Sequence, residues 1–95
     1  MLPREILNRR REIQDLANRF GITDVRVFGS QVRGTASKSS DVDFVVQVRP
    51  GHSLLDLLGF EASVEALLGC PVDVVSERGL PRAIFQEIQR ECVAL

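Results

Sequence analysis

The tightest constraint on this chain lies in residues 25–48, VRVFGSQVRGTASKSSDVDFVVQV. From Asp41 onward the residues read as a strand, in which side chains two apart leave the same face. Asp41 and Asp43 therefore share one face, while Val42, Phe44, Val46 and Val48 point to the other, toward a core. Two full charges ~6 Å apart at an effective dielectric of ~20 repel by roughly 3 kcal/mol. Paired acids at a strand entry therefore work against stability, and a divalent cation between them reverses the sign. Upstream, Val25, Val27 and Phe28 predict a short strand, followed by a tight Gly29-Ser30 turn and a small helix or loop carrying Arg33. A polar Ser/Lys segment then leads into the acidic strand; its last residues, Ser39 and Ser40, read as loop residues rather than ligands, with capping or orienting of the carboxylates by Ser40 as the alternative.

The remaining chain supplies a scaffold for that stretch. Residues 1–20 predict an amphipathic helix: Pro3 suits the first turn, Ile6, Leu7, Ile13, Leu16, Ala17 and Phe20 recur near helical spacing, and Gly21 is a stop. Arg9, Arg10 and Arg11 point in successive directions around it and read as a solvated face. Thr23-Asp24 are expected to turn the chain into the first strand. After the break at Arg49-Pro50-Gly51, Ser53 is the expected cap of a helix ending at Leu68 before Gly69. Its apolar residues cover more than half the circumference, so it is either sandwiched or leaves a face for a partner or a second copy of the chain. His52, in the loop ahead of it, is read as incidental.

Residues 71–75 predict a third strand, with Val72 and Val74 on one face and Asp73 on the other. An acid in an apolar strand asks for a counter-charge, for which Arg78, Arg82 or a bound cation are the candidates. Residues 81–93 predict a last helix with Ile84, Phe85, Ile88 and Cys92 on one side and Gln86, Arg90 and Glu91 among its polar residues. The order of elements gives an α/β (α+β) class: one domain, residues 1–95, with a small mixed sheet of about three strands flanked by helices.

Charge and composition exclude several functions. A net charge of −1 leaves no electrostatic footprint for direct nucleic-acid binding. No stretch approaches the ~18 apolar residues of a membrane span, and no signal-peptide pattern opens the chain, so a cytoplasmic location is expected. The two cysteines, Cys70 and Cys92, form no C-x-x-C pair and read as buried thiols in a reducing compartment.

If the second and third strands are neighbours, Asp73 joins Asp41 and Asp43 in a three-carboxylate cluster. Oxygen-only ligation selects a hard cation such as Mg²⁺, which shares its coordination with phosphates. Two such ions clamp the attacking and leaving oxygens of a phosphoryl displacement. Gly29 allows close backbone approach to a phosphate, Ser30 adds a hydroxyl, and Arg33 lies within reach of the same phosphates, with a surface salt bridge as the competing reading for Arg33.

Phe28-Gly29-Ser30, ten intervening residues, then Asp41-Val42-Asp43-Phe44 resembles the signature of the DNA polymerase β-like nucleotidyltransferase superfamily. Arg33-Gly34 and Ser40 make the chain similar to its minimal nucleotidyltransferases, prokaryotic proteins of about this length usually encoded beside a HEPN-domain partner. The resemblance implies that Asp41 and Asp43 bind the catalytic Mg²⁺ ions. It implies that Asp73 completes the site and helps activate the acceptor hydroxyl, and that Gly29 and Ser30 hold the triphosphate of an NTP. Characterised members of that family are antitoxins that transfer AMP from ATP to a tyrosine of a HEPN toxin, an RNase. This chain has no tyrosine, so it does not modify itself at that residue type. With no template-gripping segment, polymerisation is not expected. The rival readings are an antitoxin that acts by docking alone, and a small-molecule nucleotidyltransferase that needs a separate acceptor subunit.

Overall fold

Alternation along the acidic strand sets which face of the sheet is dry. In the computed structural model, which describes residues 3–34 and 41–95, that strand is β2, Val42–Val48. Val42, Phe44 and Val46 are buried in the core. They pack with Ile13 and Ala17 of helix α2 (Arg10–Arg19) and with Leu57, Phe60 and Val64 of helix α4 (Leu54–Leu68). The Phe44 and Phe60 rings meet edge to face, 6.4 Å between centroids, a favoured aromatic geometry.

The sheet has four strands, in the order β3 (Val72–Ser76), β2, β1 (Ile22–Phe28) and β4 (Val93–Ala94). Strand β1 (Ile22–Phe28) runs antiparallel to β2, and β3 (Val72–Ser76) runs parallel to it after the α4 crossover. A short helix α3, Ser30–Arg33, follows β1. A 3₁₀ turn at Glu77–Gly79 and helix α5 (Arg82–Glu91) follow β3.

Helix α4 has the expected limits. Ser53 Oγ accepts the Leu55 N–H at 3.2 Å, and Asp56 returns the bond from the Ser53 N–H at 3.0 Å, closing a capping box. Gly69 ends the helix in the left-handed region, φ 72°. The Ser53 N–H, the largest cause, and His52 hold the Asp56 carboxyl below its ordinary pKa. That half of the box is therefore intact above the unfolded pKa and is lost as pH falls through the lowered value. Ser53→Ala is expected to lower stability by about 1 kcal/mol in urea unfolding, with an unchanged slope.

Four local expectations need correction. The first helix is broken at Arg9 into α1 (Arg4–Asn8) and α2, because the Arg9 N–H bonds Ile6 O at 3.1 Å in a tighter turn. Thr23 and Asp24 belong to β1, where a bulge with Asp24 at φ 50° replaces the expected turn. The sheet gains a fourth strand: α5 stops at Glu91, and β4 (Val93–Ala94) pairs antiparallel with β1. The two cysteines are half-buried free thiols, not core residues.

Other expectations hold. Arg9 pairs with Glu12 at 3.0 Å, and Arg10 and Arg11 are exposed. His52, read as incidental, has packing contacts instead: it bonds Asp56 at 3.2 Å and lies against Gly21, where a Cβ would lie 2.3 Å from the ring. Helix α4 leaves a second apolar face open: Leu54, Leu55 and Leu58 are 67%, 78% and 49% exposed. No described helix is long and apolar enough to cross a membrane. The Ser/Lys segment, including Ser40, lies outside the described residues, as do Met1 and Leu2.

Candidate active site

Strand pairing brings the acids together. In the parallel β2–β3 ladder Asp43 is the register partner of Asp73, so both side chains leave the sheet on the same face. That face is opposite the buried Val42, Phe44, Val72 and Val74. Asp41, two residues before Asp43, belongs to the same side. Asp41 and Asp73 are exposed and Asp43 is half-buried. Asp73 therefore needs no protein counter-charge, and neither Arg78 nor Arg82 forms an ion pair with it among the described residues.

Electrostatics converge on Asp43. Burial, then the charge of Asp73, then that of Asp41, push its carboxyl above the ordinary value, while Arg33 pulls it down. All three acids and the arginine are thus felt at one group. The negative field continues round the β3 edge. Burial, Asp73 and Glu65 raise Glu61, while burial, Asp41 and Glu65 raise the Cys70 thiol. Glu65 itself accepts the Val72 N–H at 3.0 Å. Among the described residues, no three His, Cys, Asp or Glu side chains stand close enough together to hold a metal ion as they are. Like charges favour that spacing, at roughly 3 kcal/mol per pair for ~6 Å. The donor chemistry, all carboxylate oxygen, suits a hard divalent cation.

The glycine turn closes on the same carboxylate. Gly29 has φ 80° and ψ −152°, a region essentially reserved for glycine. A Cβ there would lie 2.4 Å from Asp43 Oδ2. The antiparallel pairing of Phe28 with Asp43 is the cause, since it sets the turn directly over the acid. Ser30 opens α3, whose first turn hangs from Gly29 O through the Val32 and Arg33 N–H groups at 3.1 and 3.2 Å. Gln31 Nε2 donates to Asp41 O at 3.4 Å, tying α3 to the strand entry. The six residues singled out from sequence, Gly29, Ser30, Arg33, Asp41, Asp43 and Asp73, thus lie at one end of the sheet.

A family model for the nucleotidyltransferase domain matches residues 6–94. The chain belongs to that family. A protein adenylyltransferase, MntA, of Thermococcus cleftensis is 42% identical over 80 residues, which cover 84% of this chain and 81% of the relative. A solved structure described as a candidate minimal nucleotidyltransferase superposes with a TM-score of 0.89 at 40% identity, covering 100% of this chain and 97% of the other. The fold alone is shared with a toxin–antitoxin crystal structure containing AMP-PNP: TM-score 0.76, 20% identity, 88% of this chain and 69% of that one. This nucleotidyltransferase is an enzyme, as the resemblance implied, and its mixed sheet flanked by helices has four strands where about three were expected.

One residue at the site was not singled out from sequence. Glu91 Oε1 accepts the Gly29 N–H at 3.2 Å, and Arg33 Nη1 donates to Oε1 and Oε2 at 3.0 and 3.1 Å. Read as the polar face of a helix, Glu91 carries no local signal. Only the β4–β1 register reveals it. Arg26 faces Ala94 and Val27 faces Val93, so two further steps set Glu91 opposite Gly29. A second polar group on the acid-bearing face was also missed: Arg26 bonds Glu77 at 3.0 Å, Gln47 bonds it at 2.7 Å, and Arg26 lies 5.7 Å over the Phe85 ring.

Proposed function

We propose that this nucleotidyltransferase moves AMP from ATP onto a hydroxyl, a tyrosine, of a partner toxin of the HEPN class, and so acts as its antitoxin. The observation that carries the reading is the in-register pair Asp43–Asp73 beneath a glycine turn that leaves no room for a Cβ. Asp41, Asp43 and Asp73 would hold Mg²⁺, in a two-ion arrangement. Such ions neutralise the phosphates and stabilise charge on the attacking and leaving oxygens. Gly29 presents its N–H and Ser30 its hydroxyl to the triphosphate, and Arg33 supplies a fixed positive charge beside them. Asp73, exposed at the margin of the cluster, faces incoming acceptor and helps accept the hydroxyl proton. MntA's name as a protein adenylyltransferase supports a protein acceptor.

Incubation with α-labelled ATP, Mg²⁺ and the protein encoded beside it tests this reading. Label is expected on the partner, and it should disappear when magnesium is chelated. The exposed Leu54, Leu55 and Leu58 favour a second component, docking through α4 to the partner or to another copy of the chain. Neutralisation of the partner without labelling would make docking the whole function. Label on an added small-molecule alcohol instead would make the acceptor a metabolite or drug.

A further inference from the structure

We infer that Glu91 is a built-in competitor for the triphosphate: its carboxylate occupies the donors that the phosphates require and must leave when they bind. The inference rests on the nucleotide reading of Gly29, Ser30 and Arg33. A peptide N–H carries one hydrogen, and that of Gly29 is given to Glu91 Oε1 at 3.2 Å. The same carboxylate takes both short contacts from Arg33 Nη1, 3.0 and 3.1 Å. An anion bound by that N–H and that guanidinium is what a phosphate group would be. At the Gly29 N–H, Glu91 and a phosphate therefore exclude one another by hydrogen-bond count, and at Arg33 two anions repel as they compete for one positive charge.

The backbone keeps the competitor in place. Glu91 ends α5, and the next residues are pinned on both sides of it. Cys92 N–H bonds Ile88 O at 2.9 Å, Val93 and Ala94 pair with Val27 and Arg26, and Leu95 N–H bonds Val25 O at 3.0 Å. Leu95 is buried, and Gln14 Nε2 donates to its carbonyl at 3.3 Å. Displacement is thus a side-chain rotation of Glu91, not a movement of the C-terminal strand. The side chain is partly exposed, so water receives the displaced carboxylate. The penalty falls equally on every ligand that takes the Gly29–Arg33 donors. It weakens ATP on entry, and it weakens pyrophosphate by the same factor on exit, which favours product release.

The test is the charge-neutral variant Glu91→Gln, assayed by calorimetric titration with MgATP, magnesium pyrophosphate and adenosine. ATP and pyrophosphate are expected to bind about fivefold more tightly, by matching factors, while adenosine is unchanged. Equal or weaker binding of both anions by the variant would overturn the inference and make Glu91 a group that merely positions Arg33. Failure of wild type and variant alike to bind ATP would overturn the nucleotide reading beneath it. A measurement on the wild type needs no variant: the Glu91 side-chain carboxyl ¹³C and Gly29 amide resonances should shift together on titration with tripolyphosphate. A Gly29 shift with a stationary Glu91 signal would also sink the proposal.

Discussion

Asp43→Asn is expected to reduce nucleotidyl transfer by roughly a thousandfold or more while raising thermal stability. The two effects have one origin. Asp43 is held above its ordinary pKa by burial first and by Asp73 and Asp41 after it. A group whose folded pKa is raised favours the folded state fully below the unfolded value of 3.8. That contribution is lost as pH rises through the folded value. At neutral pH the ionised carboxylate therefore opposes folding, and the isosteric amide removes the opposition. The proposed function requires the charge, because an amide neither neutralises a divalent cation nor matches a carboxylate as its ligand. Added Mg²⁺ should raise the melting temperature of the wild type and leave that of Asp43→Asn nearly unchanged. Scanning calorimetry with and without the metal, alongside the transfer assay, measures both halves. A variant that melts well below wild type would show that Asp43 serves the fold instead.

The same tension explains what was legible in the sequence. Asp41, Asp43 and Asp73 stand out because they put like charges side by side on the outward positions of an alternation that reports burial, and because the period of two fixes their face without knowledge of the fold. Helix α4 was legible to the residue, since Ser53 and Gly69 mark its ends chemically. The break at Arg9 left no such mark, as hydrophobic spacing does not distinguish a bond three residues back from one four residues back. Strand β4 was hidden for a different reason. Ile88 and Cys92 continue a helical spacing, but the open edge of β1 offers Val93 and Ala94 partners that α5 does not. Missing β4 meant missing Glu91, which meets Gly29 across 62 residues of chain only because that pairing exists. Site residues that share a strand or a turn declare themselves. A residue delivered by tertiary register does not.

Gly29→Ala should damage stability and activity together, whereas Gly34→Ala, at another positive-φ glycine five residues further along the chain, should affect stability alone. Gly34 has φ 76° and, among the described residues, nothing within 4 Å of a built Cβ, so alanine there meets backbone strain, about 1 kcal/mol. Gly29 combines φ 80° and ψ −152° with a contact of 2.4 Å to Asp43 Oδ2. Its expected penalty is roughly 2–3 kcal/mol in urea unfolding, the strain plus the displacement of a carboxylate. The displaced group is a proposed metal ligand, so transfer falls as well, even in the fraction that folds. A double-mutant cycle separates the two contributions. With Asp43→Ala in the background, Gly29→Ala should lose about 1 kcal/mol of its cost, since the oxygen it struck is gone and only the backbone penalty remains. Additive costs in that cycle would mean that Gly29 is present for its dihedral angles alone. The close approach of turn and acid, on which the site is built, would then play no energetic part.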